Sequence, residues 1–335
     1  MVASILNELQ EKLGGWVLEN EMLSRHCTFC VGGGAKYFFH AKTSDEIVTA
    51  VKTAQDLNIP YYILGGGSNV LISDNGFDGL VIKVGNMDFE IRGTEVVVGA
   101  GALTALVANQ TVSAGLSGLE WAASLPGTIG GAIYGNAGGF GGDMREVVKK
   151  IVVFGIKNPI SNSREFENGF LEFENKDCGF SYRNSIFKRM DPKPIILSVV
   201  LELKKSSRAE VVLKMKENEK KRQEKQPLGK KTAGCFFKNV EFKDESEILK
   251  LTKAADVPKE FLDAKRIPAG WIIDQLGLKN YKIGGAEVSD KHASFIINAG
   301  DATADDVVQL VAFIKTRARN EFGINLQEEV QYVGF

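Results

Sequence analysis

Between Ser124 and Gly142 the chain carries glycine at positions 127, 130, 131, 135, 138, 139, 141 and 142. Each glycine inside a helix costs about 1 kcal/mol relative to alanine, and strand interiors are weakened as well. The stretch must therefore run as turns whose bare backbone something approaches closely. Two things can make that approach: a bound molecule, or another part of the same chain. A shorter block, Gly65-Gly66-Gly67-Ser68-Asn69, follows the apolar run at 61–64. Tandem glycines there let successive N–H groups converge on an anion, and a tight turn with positive φ accounts for them equally well. Neither block is a G-x-G-x-x-G fingerprint or a Walker A loop, so a dinucleotide would have to be held in another way.

The segments around these blocks read as an α+β chain. An apolar stripe of Ile47, Val48, Val51, Ala54 and Leu57 predicts a helix over 44–57, opened by Thr43 and Glu46 as a capping box, between strands near 37–40 and 61–64. Strands are expected at 80–84, 90–92, 96–98, 151–154 and 195–203. Residues 208–225 form a charged helix stopped by Gln226-Pro227-Leu228-Gly229. Beyond it, helices are expected at 247–255, 269–276 and 304–322, with Thr303 and Asp306 capping the last and Gly323 closing it, and strands at 294–298 and 329–333. The pattern divides into three domains, 1–85, 86–207 and 208–335.

Charge and cysteine content narrow the function. Forty-one basic and 42 acidic residues leave a net charge of -1, so no bulk field drives the chain onto nucleic acid or anionic lipid. Residues 214–231 hold eight basic side chains against three acids, without aromatic residues to stack bases, and read as a solvated helix face. Residues 96–119 carry no charge over a length that could span a bilayer, but Asn109, Gln110 and several glycines make them a buried strand and helix. Residues 1–16 read as an ordinary helix and not as a secretory signal. The four cysteines at 27, 30, 178 and 235 suit a reducing compartment, and the cytoplasm is the expected location. Cys27-x-x-Cys30, near His26 and His40, has no second ligand pair for zinc and does not open a helix as redox pairs do, so no metal is expected.

Several further motifs accompany the glycine blocks: Thr28-Phe29-Cys30-Val31-Gly32-Gly33, Leu64 through Leu71, Pro126 through Gly131, Tyr182-Arg183-Asn184-Ser185, Gly234-Cys235-Phe236-Phe237-Lys238-Asn239 and Glu329-Val330. Read alone, Arg183 is an ordinary surface cation, Cys235 a small buried side chain, and Glu328 and Glu329 are interchangeable in an alternating strand. Taken together, from about Thr28 onward, the chain resembles the UDP-N-acetylenolpyruvoylglucosamine reductases.

The resemblance implies a two-lobed FAD-binding fold of the vanillyl-alcohol-oxidase type followed by a C-terminal α+β domain for a UDP-sugar. It implies an enzyme of peptidoglycan precursor synthesis in which NADPH reduces FAD, hydride then passes to C3 of the enolpyruvyl group, and a proton is added at C2. Arg183 and Glu329 match the residues that stabilise charge developing on the substrate. Cys235 stands where many members carry the serine that protonates C2, and a thiol, with an ordinary pKa of about 8.5, can serve as that acid. Cofactor contacts are expected from Gly65, Gly66, Gly67, Ser68, Asn69, Ser124, Pro126, Gly127, Thr128, Gly130, Gly131, Ala132, Asn136 and Gly138. Substrate contacts are expected from Tyr182, Lys225, Asn239, Lys279 and His292.

Gly34, Val240 and Gln331 depart from common family residues without removing a catalytic group. The short interval from Arg183 to Cys235 resembles the class that lacks an inserted tyrosine loop. The expected partners are small molecules, the UDP-sugar and NADPH, with no nucleic acid and no membrane insertion; a monomer is the working expectation. A binding protein that retains the pocket without turnover, and an oxidase of the same fold, are the rival readings.

Overall fold

The computed structural model describes residues 4–155, 164–166 and 169–335; residues 1–3 of the expected first helix lie outside them. The chain divides into two compact units. One comprises Met1–Glu21, Ala35–Gly66 and Asp78–Arg222, the other Met22–Gly34, Gly67–Phe77 and Gln223–Phe335. The core of the first unit draws on residues of both 1–85 and 86–207, and the boundary at Arg222 falls inside helix Arg208–Lys225. Two short stretches of the first expected domain also group with the C-terminal residues, because their hydrogen-bond partners lie there.

In the first unit a four-stranded sheet has the order Leu18–Met22, Gly34–Ala41, Phe77–Val84, Tyr61–Leu64. The last two strands run parallel, which the intervening chain allows only through a crossover. Helix Ser44–Asp56 precedes Tyr61–Leu64 and buries Ile47, Val48, Val51 and Ala54 as its stripe requires; Thr43 Oγ1 accepts from Glu46 N–H. A second, six-stranded sheet has the order Arg164–Phe166, Phe170–Glu174, Val148–Phe154, Ile195–Glu202, Glu95–Gly99, Phe89–Arg92. Leu9, Ile47, Leu80, Val98, Ile151, Phe173 and Leu197 belong to one continuous core. The uncharged stretch 96–119 resolves into strand Glu95–Gly99 and helix Thr104–Ser113. Among the described residues no helix is long and apolar enough to cross a membrane.

Helix Arg208–Lys225 is not solvated all round, which corrects the reading of its basic run. Lys214, Asn218 and Arg222 fall at i, i+4 and i+8 on one face. Lys214 lies 3.5 Å from the buried Glu120 carboxylate, Asn218 is 6 % exposed, and Arg222, 4 % exposed, donates to the carbonyls of Trp121 and Ser124 at 2.9 and 3.2 Å. Charge in the sequence thus disguised an inward face on which Asn218 and Arg222 are buried.

The second unit is built on an antiparallel sheet, Lys231–Cys235, Phe295–Asn298, Ala286–Val288, Lys282–Ile283. Helix Ala304–Phe322 has the expected capping box and closes on Gly323 in the left-handed region. Asp74 adds to that cap, accepting from the N–H groups of Ala304 and Asp305. Strand Gln331–Val333 pairs in parallel with Val70–Ile72. Thr28 and Thr232 exchange two hydrogen bonds, at 2.7 and 3.1 Å.

Candidate active site

In the first unit the two glycine blocks meet. A Cβ on Gly66 would stand 2.5 Å from Gly127 Cα, and one on Gly65 would stand 2.7 Å from Thr128 Oγ1. The same is true deeper in the longer block: Gly130 packs on Ala100, Gly138 on Asp143 and the Gly142 carbonyl, and Gly142 against the Trp121 ring. Much of the close approach that this block demanded is therefore made by the chain itself, the second of the two explanations the sequence left open. Gly139 and Gly141 face open space, and exposed Gly131 meets only Thr128 Oγ1, at 3.5 Å.

The contact leaves donors behind. Among the described residues the main-chain N–H groups of Gly65, Gly66, Gly127 and Thr128 donate no hydrogen bond, whereas those of Gly130, Gly131 and Ala132 do. Four unused donors on two touching, glycine-rich loops fit the phosphate groups of a dinucleotide cofactor. Ser124 offers its carbonyl to Arg222, Pro126 is exposed, and Ala132 is buried in the short helix Ile129–Tyr134.

Asn136 stands apart from this set. It is 2 % exposed and its amide is used within the protein: Nδ2 donates to Ser181 O at 3.0 Å, and Oδ1 accepts from Arg145 N–H at 3.0 Å. Ser181 opens a tight turn closed by two hydrogen bonds with Asn184, whose central residues are Tyr182 and Arg183. Arg183 has φ +53°, and its guanidinium lies 5.5 Å from the centre of the Tyr182 ring. Fully buried Ser185 anchors the far side of the turn, donating to Tyr134 O at 2.8 Å.

The second unit gathers the remaining candidates. Cys235 is a half-buried free thiol at the end of strand Lys231–Cys235, after an irregularity at Gly234, φ +83°. The next residue, Phe236, donates to Ser294 O and accepts from Glu329 N–H at 2.8 Å, so the chain around Cys235 and that around Glu329 run side by side. Asn69 Nδ2 donates to the Glu329 carbonyl at 3.2 Å, while Gln331 N–H donates to Asn69 O. Of the two adjacent glutamates, Glu328 is paired with Lys315 at 2.7 Å.

His292 is half-buried, and Nδ1 accepts from Ser294 N–H at 3.3 Å, which leaves the ring proton on Nε2. Burial, assisted by the charges of Lys279 and Lys225, holds its pKa below the usual 6.5. These three expected substrate residues are thus electrostatic neighbours, with Lys279 paired to Asp274 at 2.8 Å and Lys225 exposed. Asn239 Oδ1 accepts from Ala269 N–H at 3.2 Å.

Sequence reasoning missed Arg222, Lys315 and the anchoring roles of Asn69 and Asn136. Nothing local signalled any of them, since the residues at 214, 218 and 222 are all hydrophilic.

Comparison with known proteins agrees with this architecture. Residues 35–154 match the model described as FAD binding domain, and residues 226–333 match that described as UDP-N-acetylenolpyruvoylglucosamine reductase, C-terminal domain. The UDP-N-acetylenolpyruvoylglucosamine reductase of Anoxybacillus flavithermus is 38% identical over 330 residues, 98% of this chain and 97% of its own. That of Bacillus licheniformis is 36% identical over 333 residues, 98% of each. The crystal structure of the Thermus caldophilus enzyme superimposes with a TM-score of 0.71 at 30% identity, covering 95% of this chain and 98% of that one.

Fold and site define an FAD-dependent oxidoreductase of α+β class, with a FAD-binding part and a C-terminal α+β part. The chain belongs to the UDP-N-acetylenolpyruvoylglucosamine reductase family.

Proposed function

We propose that this protein reduces the enolpyruvyl group of UDP-N-acetylenolpyruvoylglucosamine to give UDP-N-acetylmuramate, with NADPH as the donor, in the cytoplasmic synthesis of peptidoglycan precursors. The observation that supports this most is the side-by-side run of the Cys235 and Glu329 segments through the Phe236 carbonyl, in the unit that also carries Lys225, Lys279 and His292. It supplies an acid, a carboxylate and a cationic edge, the groups that an anionic nucleotide sugar and a developing enolate require.

Bound FAD would supply the hydride chemistry that links NADPH to C3 of the enolpyruvyl group. The N–H groups of Gly65, Gly66, Gly127 and Thr128 would hold its phosphates. Arg183, with its planar fork, binds the substrate carboxylate as negative charge accumulates there. Glu329 stabilises the enol form. The Cys235 thiol gives its proton to C2, and the thiolate is reprotonated before the next cycle. Lys225 and Lys279 neutralise the diphosphate, while His292 and Asn239 offer polar contacts and Tyr182 lies beneath the Arg183 guanidinium.

The test is the visible spectrum of freshly purified protein, followed by anaerobic NADPH and then the UDP-enolpyruvyl sugar. Flavin bands that bleach with the first and return with the second are expected. A protein that carries no flavin and cannot be reconstituted with FAD, or one whose bands fail to return with the sugar, overturns the proposal.

A further inference from the structure

We infer that Asn136 is a positioning residue for Arg183, acting through the backbone of the turn that carries it, and is not a cofactor ligand. The inference rests on the role proposed above for Arg183. A left-handed backbone is strained at a residue with a long side chain, so the turn holds Arg183 at φ +53° only if its surroundings enforce it. Two of those enforcing contacts come from the glycine-rich segment. Asn136 Nδ2 donates to the carbonyl of Ser181, the first residue of the turn, and Ser185 Oγ, just after the turn, donates to the carbonyl of Tyr134.

Asn136 is itself fixed. Its Oδ1 takes Arg145 N–H, and at 2 % exposure no face of the amide is offered to a ligand. Its own φ of +43° suits asparagine, which tolerates that region better than most residues. The glycine-rich segment and the candidate catalytic arginine are thereby held in one register.

The test uses the full-length holoenzyme and two substitutions. Asn136→Gly accepts the same backbone angle and removes both hydrogen bonds. Asn136→Asp keeps the acceptor for Arg145 and removes the donor to Ser181, and it replaces the glycine variant if that one does not fold. Either is expected to retain FAD and to be reduced by NADPH at the parent rate. Reoxidation by the enolpyruvyl sugar should slow by about tenfold to a hundredfold, and amide exchange at Ser181 and Asn184 should accelerate.

Combined with Arg183→Ala, the Asn136 change should add little further loss, because both act through one group. Loss of FAD with either variant, fully multiplicative losses, or unchanged reoxidation beside a crippled Arg183→Ala would overturn the inference. If Arg183→Ala itself reoxidises normally, the reading of Arg183 fails instead.

Discussion

Gly66 and Gly127 touch: a single added Cβ on the first would stand 2.5 Å from the Cα of the second. The contact joins two glycine blocks about sixty residues apart in the chain, and it explains why Gly66 carries no side chain, while Gly127 takes φ +105°, a conformation that L side chains rarely adopt. The unused N–H groups of Gly65, Gly66, Gly127 and Thr128 belong to these two touching loops.

Gly66→Ala should therefore act on stability and cofactor together. Forcing the loops apart is expected to cost about 1–3 kcal/mol and to weaken retention of FAD. Urea unfolding and the flavin-to-protein absorbance ratio measure the two; an alanine variant that keeps its full flavin content would show that the contact does not shape the cradle.

Cys235→Ser should remain active, since a hydroxyl can donate the same proton. Cys235→Ala should be reduced by NADPH normally yet be reoxidised by the sugar about 10²- to 10⁴-fold more slowly, the usual contribution of a positioned general acid. Stopped-flow absorbance separates the half-reactions, and equal loss in both would make the thiol structural.

The neighbouring glutamates should separate sharply. Glu329→Gln is expected to slow reoxidation, whereas Glu328→Gln removes a partly exposed pair with Lys315 and should change stability by less than about 1 kcal/mol. A large kinetic defect at Glu328 with none at Glu329 would reverse the assignment.

His292 gives a pH signature. Its folded pKa is depressed, first by burial and then by Lys279 and Lys225, so the native ring stays neutral while the unfolded ring gains a proton below about pH 6.5. The stabilisation from the neutral ring is complete above that pH and is lost as pH falls toward the folded pKa. Between pH 8 and pH 5.5 the urea midpoint of His292→Gln should fall less than that of the parent; an equal fall would mean that the ring does not titrate differently on folding.

Much of this architecture was readable from local pattern. The helices 208–225 and 304–322 stand where charge, capping residues and glycine marked them, because those signals act within one or two turns. The candidate site was legible only as residue types. Asn69 and Asn136 sit inside glycine motifs, where cofactor contact was the natural expectation, yet each amide N–H donates to the carbonyl of a distant segment, at Glu329 and at Ser181. No periodicity encodes a side chain's partner 45 or 260 residues away. The inward face of Arg208–Lys225 was hidden for another reason: Asn218 and Arg222 are hydrophilic by composition yet buried, Arg222 against the carbonyls of Trp121 and Ser124, while exposed Lys214 reaches the buried Glu120 carboxylate.

The C-terminal unit is assembled from three separated stretches of chain, with Gln331–Val333 laid beside Val70–Ile72 and Thr232 bonded to Thr28. During synthesis, residues 22–34 and 67–77 emerge from the ribosome long before those partners exist. The nascent chain must keep these stretches from aggregating while the first unit takes shape, and Val70–Ile72 has no strand to pair with until residues 331–333 are free of the exit tunnel.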